Sequence, residues 1–250
     1  MGLRSDVWIY DLGQDVLTPV TTDGLTIGGI WAPDGRHIAT ADHVGDSQFV
    51  LLRRLDGSRP AEPLARSRRL LWPAAWTKDA RHLVVMDGGD ISIVDVTGDR
   101  ATRPLIHTPS VELGGRLSPD ERWLAYFSNV TGSTELYVTR FPGGGPSWRI
   151  TRGGAREAVW SRDGRELFFR SENGRQMLTV AIQPGAVFGA GAPRLLFEGD
   201  FFSYGGPGFV NYDVTLDGKG FLMLVNAGTE SGHLNVVEGW TRMIPAAPRR

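Results

Sequence analysis

The stretch Trp31-Ala32-Pro33-Asp34-Gly35, followed at once by His37-Ile38-Ala39-Thr40, decides how this chain is read. It is a turn between two apolar runs. Proline sets the torsion that a tight turn needs at its second position, aspartate bonds its local backbone, and glycine takes the left-handed conformation. The unit returns as Trp76-Thr77-Lys78-Asp79-Ala80, Leu117-Ser118-Pro119-Asp120-Glu121, Trp160-Ser161-Arg162-Asp163-Gly164 and Val214-Thr215-Leu216-Asp217-Gly218, each time before a second apolar run. The marker aspartates are 41 to 54 residues apart. Where glycine is missing, at Ala80 and Glu121, the turn must find another geometry or accept strain.

A period of this length with several strands per repeat belongs to β-propellers. Helical repeats of similar length are excluded, because the runs alternate with period two and are rich in β-branched and aromatic residues. Third strands are expected at Phe49–Leu52, Ile91–Asp95, Glu135–Val138 and Met177–Val180. Fourth strands are expected at Glu62–Leu64, Arg103–Ile106, Trp148–Thr151 and Arg194–Phe197, with Pro63 and Pro104 suited to an outer edge. The expected fold is therefore all-β, a β-propeller of four-stranded antiparallel blades forming a single domain over residues 1–250. Residues 7–10 and 18–21 read as third and fourth strands without their first two. The C-terminal unit supplies Tyr212–Val214, Phe221–Val225 and Leu234–Val237. Joining the ends would close a mixed blade, giving about five blades. A surplus third strand at Asp6–Asp11 leaves room for a sixth in a longer parent.

Composition narrows the function classes. Lys and Arg number 27 against 28 Asp and Glu, a formal net charge of -1, so nothing favours nucleic acid or an anionic membrane as partner. The absence of cysteine removes disulfides, thiolate metal sites and cysteine nucleophiles. No run is long enough to span a bilayer, and Met1–Ser5 has no apolar signal region, so neither membrane insertion nor a signal peptide is expected within these residues.

The repeated Trp-x-Pro-Asp-Gly unit, Asp6-Val7-Trp8-Ile9-Tyr10-Asp11-Leu12, Leu117 to Tyr126 and Trp160 to Phe168 together resemble the TolB-like, WD-repeat-like propellers of bacteria. Leu234-Asn235-Val236-Val237-Glu238-Gly239-Trp240 is similar to the closing strand of propellers appended to bacterial serine/threonine protein kinases. There the resemblance implies a sensor or interaction module of a larger signalling or cell-envelope protein, with an extracytoplasmic location, periplasmic or cell-surface. The residues after Val237 depart from the usual ending, and no kinase motif is present.

Catalytic signals are few. The five turn aspartates lie in different blades and cannot converge on one metal ion. Trp31, Trp76 and Trp160 sit at one phase of the repeat, as packing between blades requires, rather than forming a sugar platform. The five histidines include no zinc-binding spacing. Gly143-Gly144-Gly145 and Gly205-Gly206-Pro207-Gly208 read as loops, not phosphate cradles. No catalytic residue, metal site or cofactor is expected.

Loops on a rigid scaffold are where binding residues collect. The connections between blades are longer and more varied than the Asp turns. They bear Arg66, Arg68, Arg69, Trp72, His107, Glu112, Arg156, Glu157, Phe201, Phe202 and Tyr204. Charges mixed with aromatics fit a protein or peptide partner, with a small ligand in a central channel as a second occupant. Two enzymatic alternatives stand beside this reading. One is a funnel-site glycoside hydrolase or lyase, for which Glu112 and Glu157 are the available carboxylate pair. The other is the gating propeller of a prolyl-oligopeptidase-like enzyme whose hydrolase domain lies elsewhere.

Overall fold

The computed structural model describes residues 5–11, 13–143, 145–183, 185–203, 205–206, 208–215, 218, 220–224 and 235–237. Every regular element among them is a strand. The chain divides into two compact units, Met1–Thr108 and Pro109–Arg250.

The first unit opens with a two-stranded sheet, β1 (Trp8–Asp11) and β2 (Val16–Pro19). Two four-stranded antiparallel blades follow. The first is β3 (Thr26–Trp31), β4 (His37–Val44), β5 (Ser47–Arg54) and β6 (Glu62–Ser67). The second is β7 (Leu71–Trp76), β8 (His82–Asp87), β9 (Asp90–Asp95) and β10 (Thr102–Ile106). Their shared core is apolar: Ala39, Val50 and Leu64 of one blade meet Leu71, Leu83, Val85 and Val94 of the next.

The second unit holds two further blades. One comprises β11 (Glu112–Leu117), β12 (Trp123–Ser128), β13 (Glu135–Arg140) and β14 (Trp148–Arg149). The other comprises β15 (Ala155–Trp160), β16 (Glu166–Ser171), β17 (Gln176–Gln183) and β19 (Arg194–Glu198), with the short β18 (Gly189–Ala190) pairing at the end of β17. A three-stranded sheet follows, β20 (Tyr212–Val214), β21 (Phe221–Met223) and β22 (Asn235–Val237). One core lies between the third and fourth blades, where Phe188 packs edge-on against Trp123. A second joins Phe168, Met177 and Leu196 to Tyr212, Phe221 and Met223.

The turns share one wiring scheme. The hydroxyls of Thr77, Ser118 and Ser161 donate to Asp79, Asp120 and Asp163 and accept the amides of His82, Trp123 and Glu166. The first blade has Ala32 at that position, and Asp34 takes the His37 amide itself, at 3.1 Å. The hydroxyl of Thr77 and then the amide of Arg81 hold the Asp79 carboxyl below its usual range; Ser161 and Arg165 do the same for Asp163. Ala80 and Glu121 adopt the left-handed conformation, with φ of 56° and 57°, so these turns keep the repeat's geometry and carry its strain. Asp217 lies outside the described residues.

The tryptophans keep a common register but not a common depth. Trp31, Trp76 and Trp160 pair with Ile38, Leu83 and Leu167. Trp160 is 7% exposed and Trp31 is 51% exposed. Trp160 packs in the core shared with the preceding blade and donates its ring N–H to the Arg116 carbonyl at 3.0 Å. Among the described residues, the sheet that precedes Trp31 in the chain is the two-stranded β1–β2. The expectation of equivalent packing is corrected at that position. Among the described residues no helix is long and apolar enough to cross a membrane.

Candidate functional site

Antiparallel pairing puts the Asp turns at one end of each blade. The second-to-third turns and the connections to the next blade lie at the other end. The sequence-chosen residues among those described lie near this second end and separate into two groups, one per unit.

In the first unit, Arg69 is the centre. Its Nη1 donates to Asp90 Oδ2 at 3.3 Å and its Nη2 lies 3.5 Å from Asp87 Oδ1. Asp87 accepts the Ser67 hydroxyl at 2.8 Å, and Asp90 is 2.8 Å from Nδ1 of His107. The stem of Arg69 lies over Gly88, whose φ is 62°; a Cβ there would come within 2.5 Å of Arg69 Cδ. Arg69 is thus held from below by two half-buried carboxylates, yet its side chain remains 57% exposed. Arg66 donates to Ser47 at 3.0 Å and stands over the Phe49 ring. Arg68 is 82% exposed, its Nε 4.0 Å from Asp46. Trp72 is half-buried and closely approached by Gly28, where a Cβ would fall 2.4 Å from the ring.

The second group is buried. Glu157 is fully enclosed and has a φ of 59° at a bulge in β15. Arg170 Nη1 donates to both of its carboxylate oxygens at 3.1 Å. Ser203 Oγ donates to Oε1 at 2.8 Å and the Asn211 amide to Oε2 at 3.1 Å. The Tyr212 hydroxyl donates to the Glu157 carbonyl at 2.7 Å, and burial pushes that hydroxyl's pKa well up. Arg156 has its Nε 3.9 Å from Glu157. Phe201 lies under the Arg170 guanidinium, and Phe202 is 37% exposed. Glu112 is also buried and accepts the Ser128 hydroxyl at 3.1 Å. Placing Glu112 and Glu157 on an exposed face is therefore corrected: each carboxylate is drawn inward by donors of its own unit. Tyr204 lies outside the described residues.

Sequence reasoning passed over Asp87, Asp90, Gly88, Ser203 and Arg170. Arg170 had a signal. Counting along the second strands, its position holds Ala41, Met86 and Phe127 in the other three blades. The position of Glu157 holds Gly28, Pro73 and Gly114. Both exceptions occur in one blade, and they are opposite charges. A buried charge needs a partner, so the pair could have been inferred from the repeat alone.

No family model matches the chain, and no curated protein matches it by sequence. Solved structures do match. TolB from Acinetobacter baumannii is similar with a TM-score of 0.64 at 18% identity, over 86% of this chain and 55% of its own. The Cps50 (Swd1) β-propeller domain of Myceliophteria thermophila gives 0.62 at 14% identity, over 94% of this chain and 80% of its own. An oligogalacturonate lyase in complex with manganese gives 0.53 at 11% identity, over 87% and 78%. Prolyl endopeptidases are among the similar structures as well. The chain spans little more than half the length of the Acinetobacter structure. At these identities the likeness is one of fold, and the fold of this chain is that of the TolB-like and WD-repeat-like β-propellers.

Proposed function

We propose that the chain is a non-enzymatic binding scaffold, the sensor or protein-interaction module of a larger bacterial signalling or cell-envelope protein with an extracytoplasmic location. Its partner is a protein or peptide, and its residues 1–250 act as one propeller domain closed by its two ends. The observation that carries the reading is Arg69: an exposed guanidinium fixed in place by Asp87, Asp90 and the bare backbone of Gly88. An arginine oriented before binding loses little freedom on contact, which is the character of an interface anchor. Arg66, Arg68, Trp72 and His107 belong to the same unit and are proposed to share its face; Phe202, in the second unit, is proposed as a separate contact.

Propellers with catalytic names among the similar structures keep an enzymatic alternative in view. Glycoside cleavage needs two carboxylates that reach the scissile bond. Glu112 and Glu157 are both buried and engaged, which favours the scaffold. No three His, Asp or Glu side chains cluster into a metal-binding group among the described residues.

The test compares partner capture by the wild-type chain with capture by Arg69→Ala, Lys78→Ala and Arg162→Ala. Loss of an interface anchor typically costs about 2 kcal/mol, roughly thirty-fold in affinity. That loss is expected at Arg69 only. Dependence on Lys78 and Arg162 instead would move the site to the Asp-turn end. Turnover of a glycoside, abolished by Glu112→Gln, would replace the scaffold with an enzyme.

A further inference from the structure

We propose that Glu157 and Arg170 form an internal fastener for the arm Gly199–Ser203, and that this arm is a releasable element of the loop surface rather than a fixed part of the fourth blade. The arm leaves β19 and carries Phe201 and Phe202. Its polar attachments converge on the two side chains. Arg170 Nη1 donates to the Phe202 carbonyl at 2.9 Å and Nη2 to the Phe201 carbonyl at 3.2 Å. Ser203 donates to Glu157 at 2.8 Å. Among the described residues, the arm beyond Gly199 makes a ladder-like bond from the Phe202 amide to the Leu224 carbonyl, at 2.9 Å.

The blade does not depend on the arm. The pairings of β15 with β16, β16 with β17 and β17 with β19 are complete before Gly199. Freeing the arm breaks none of them. The fastener, by contrast, is costly to keep. Glu157 occupies the left-handed region, where a residue with a side chain is strained. Two charges are withdrawn from water in place of the glycine, proline and apolar residues of the other blades. Such a pair is a weak source of stability against an apolar substitute. What the pair does contribute is geometry: one planar guanidinium holds both carboxylate oxygens and two carbonyls of the arm in a single arrangement. Loss of the pair therefore lets the arm go while the ladder holds. That release of the arm would withdraw Phe202 from a partner rests on the scaffold reading; the release itself does not.

The experiment is hydrogen exchange on the full chain, comparing wild type with Glu157→Gln and Ser203→Ala. It reads the arm without a partner, so its failure is separate from a failure of the scaffold reading. Exchange at the Phe202 amide should rise about tenfold or more in Glu157→Gln, and by a clearly larger factor than at the β16 and β17 amides. Ser203→Ala should give a smaller rise confined to the same arm. If exchange in β16 and β17 rises by the same factor, the pair is ordinary core and the proposal falls. If the arm is unchanged in both variants, Phe201 packing holds it and the proposal also falls. Should Glu157→Gln not fold, Ser203→Ala carries the test with the same two readings.

Discussion

Arg69 and Arg170 each meet carboxylates near the loop end of a blade, and they do opposite things. Arg69 reaches out over Gly88 and stays largely in solvent, with Asp87 and Asp90 beneath it. Arg170 is enclosed, and its guanidinium donates to the Gly174 carbonyl, Glu157 and the Phe202 carbonyl, all inside its own unit. Solvent decides the difference. Around Arg69, water screens each pair, so the pairs orient the side chain without contributing much stability. Around Arg170, burial removes solvent screening, so losing one partner is costly even though an apolar replacement of both could serve. Similar chemistry thus yields a presented group in one unit and a structural commitment in the other.

The sharpest way to break that comparison is Arg170→Met. It should cost about 3–5 kcal/mol, since Glu157 is left buried and unpaired, read as a lowered denaturant midpoint. Combining it with Glu157→Gln should be less damaging than Arg170→Met alone.

Acid offers a second probe. The carboxyl of Glu135 is pushed up by burial, but the Thr151 hydroxyl and Arg149 outweigh this and hold it below its usual range. The turn aspartates Asp34, Asp79, Asp120 and Asp163 are also lowered. Groups lowered on folding contribute their stability above the ordinary carboxylate range and lose it as pH falls through the folded values. Unfolding free energy should therefore decline on acidification below that range. A flat profile there would contradict the turn wiring.

Smaller effects test the exposed side. Gly88→Ala forces a side chain into a left-handed position and against Arg69, and should cost about 1 kcal/mol or more. Arg69→Ala should cost less than about 1 kcal/mol, because its pairs are solvent-screened. Equal losses for Arg69→Ala and Arg170→Met would erase the distinction. At the low end, Ala32→Ser installs the missing turn hydroxyl of the first blade. Ala32 is buried and Asp34 already satisfies the His37 amide, so a change of about 0.5 kcal/mol, the low end for one hydrogen bond, is expected.

The blades were legible because a turn motif and period-two alternation are local signals that each repeat restates. Four blades appear where the Asp markers put them, with the short flanking sheets of the two ends. The candidate site was legible in part. Residue type and loop position located Arg69, but its preparation depends on Asp87, Gly88 and Asp90 meeting across strands that are distant in sequence from it. Glu157 was chosen for its charge and placed by loop position. Its burial follows from Arg170, which looks like an interruption of an apolar strand until both positions are compared across blades. The depth of Trp31 was hidden for another reason: a repeat motif reports register, while exposure depends on the sheet that precedes it.

The order of pairing within the blades has a consequence for biosynthesis. Each ladder joins strands adjacent in the chain, apart from β17 with β19, which skips only the two-residue β18. For an all-β protein that is low contact order, and loop-closure entropy for each blade is correspondingly small. A nascent chain can complete one blade before the next has left the ribosome, limiting the time that open strand edges wait for a partner. The fourth blade is the exception in timing. Glu157 and Arg170 emerge together, but Ser203, Asn211 and Tyr212 follow only after β19. Until then the ion pair lacks the donors that complete its shell, which makes this blade the last in its stretch of chain to reach its final arrangement during translation.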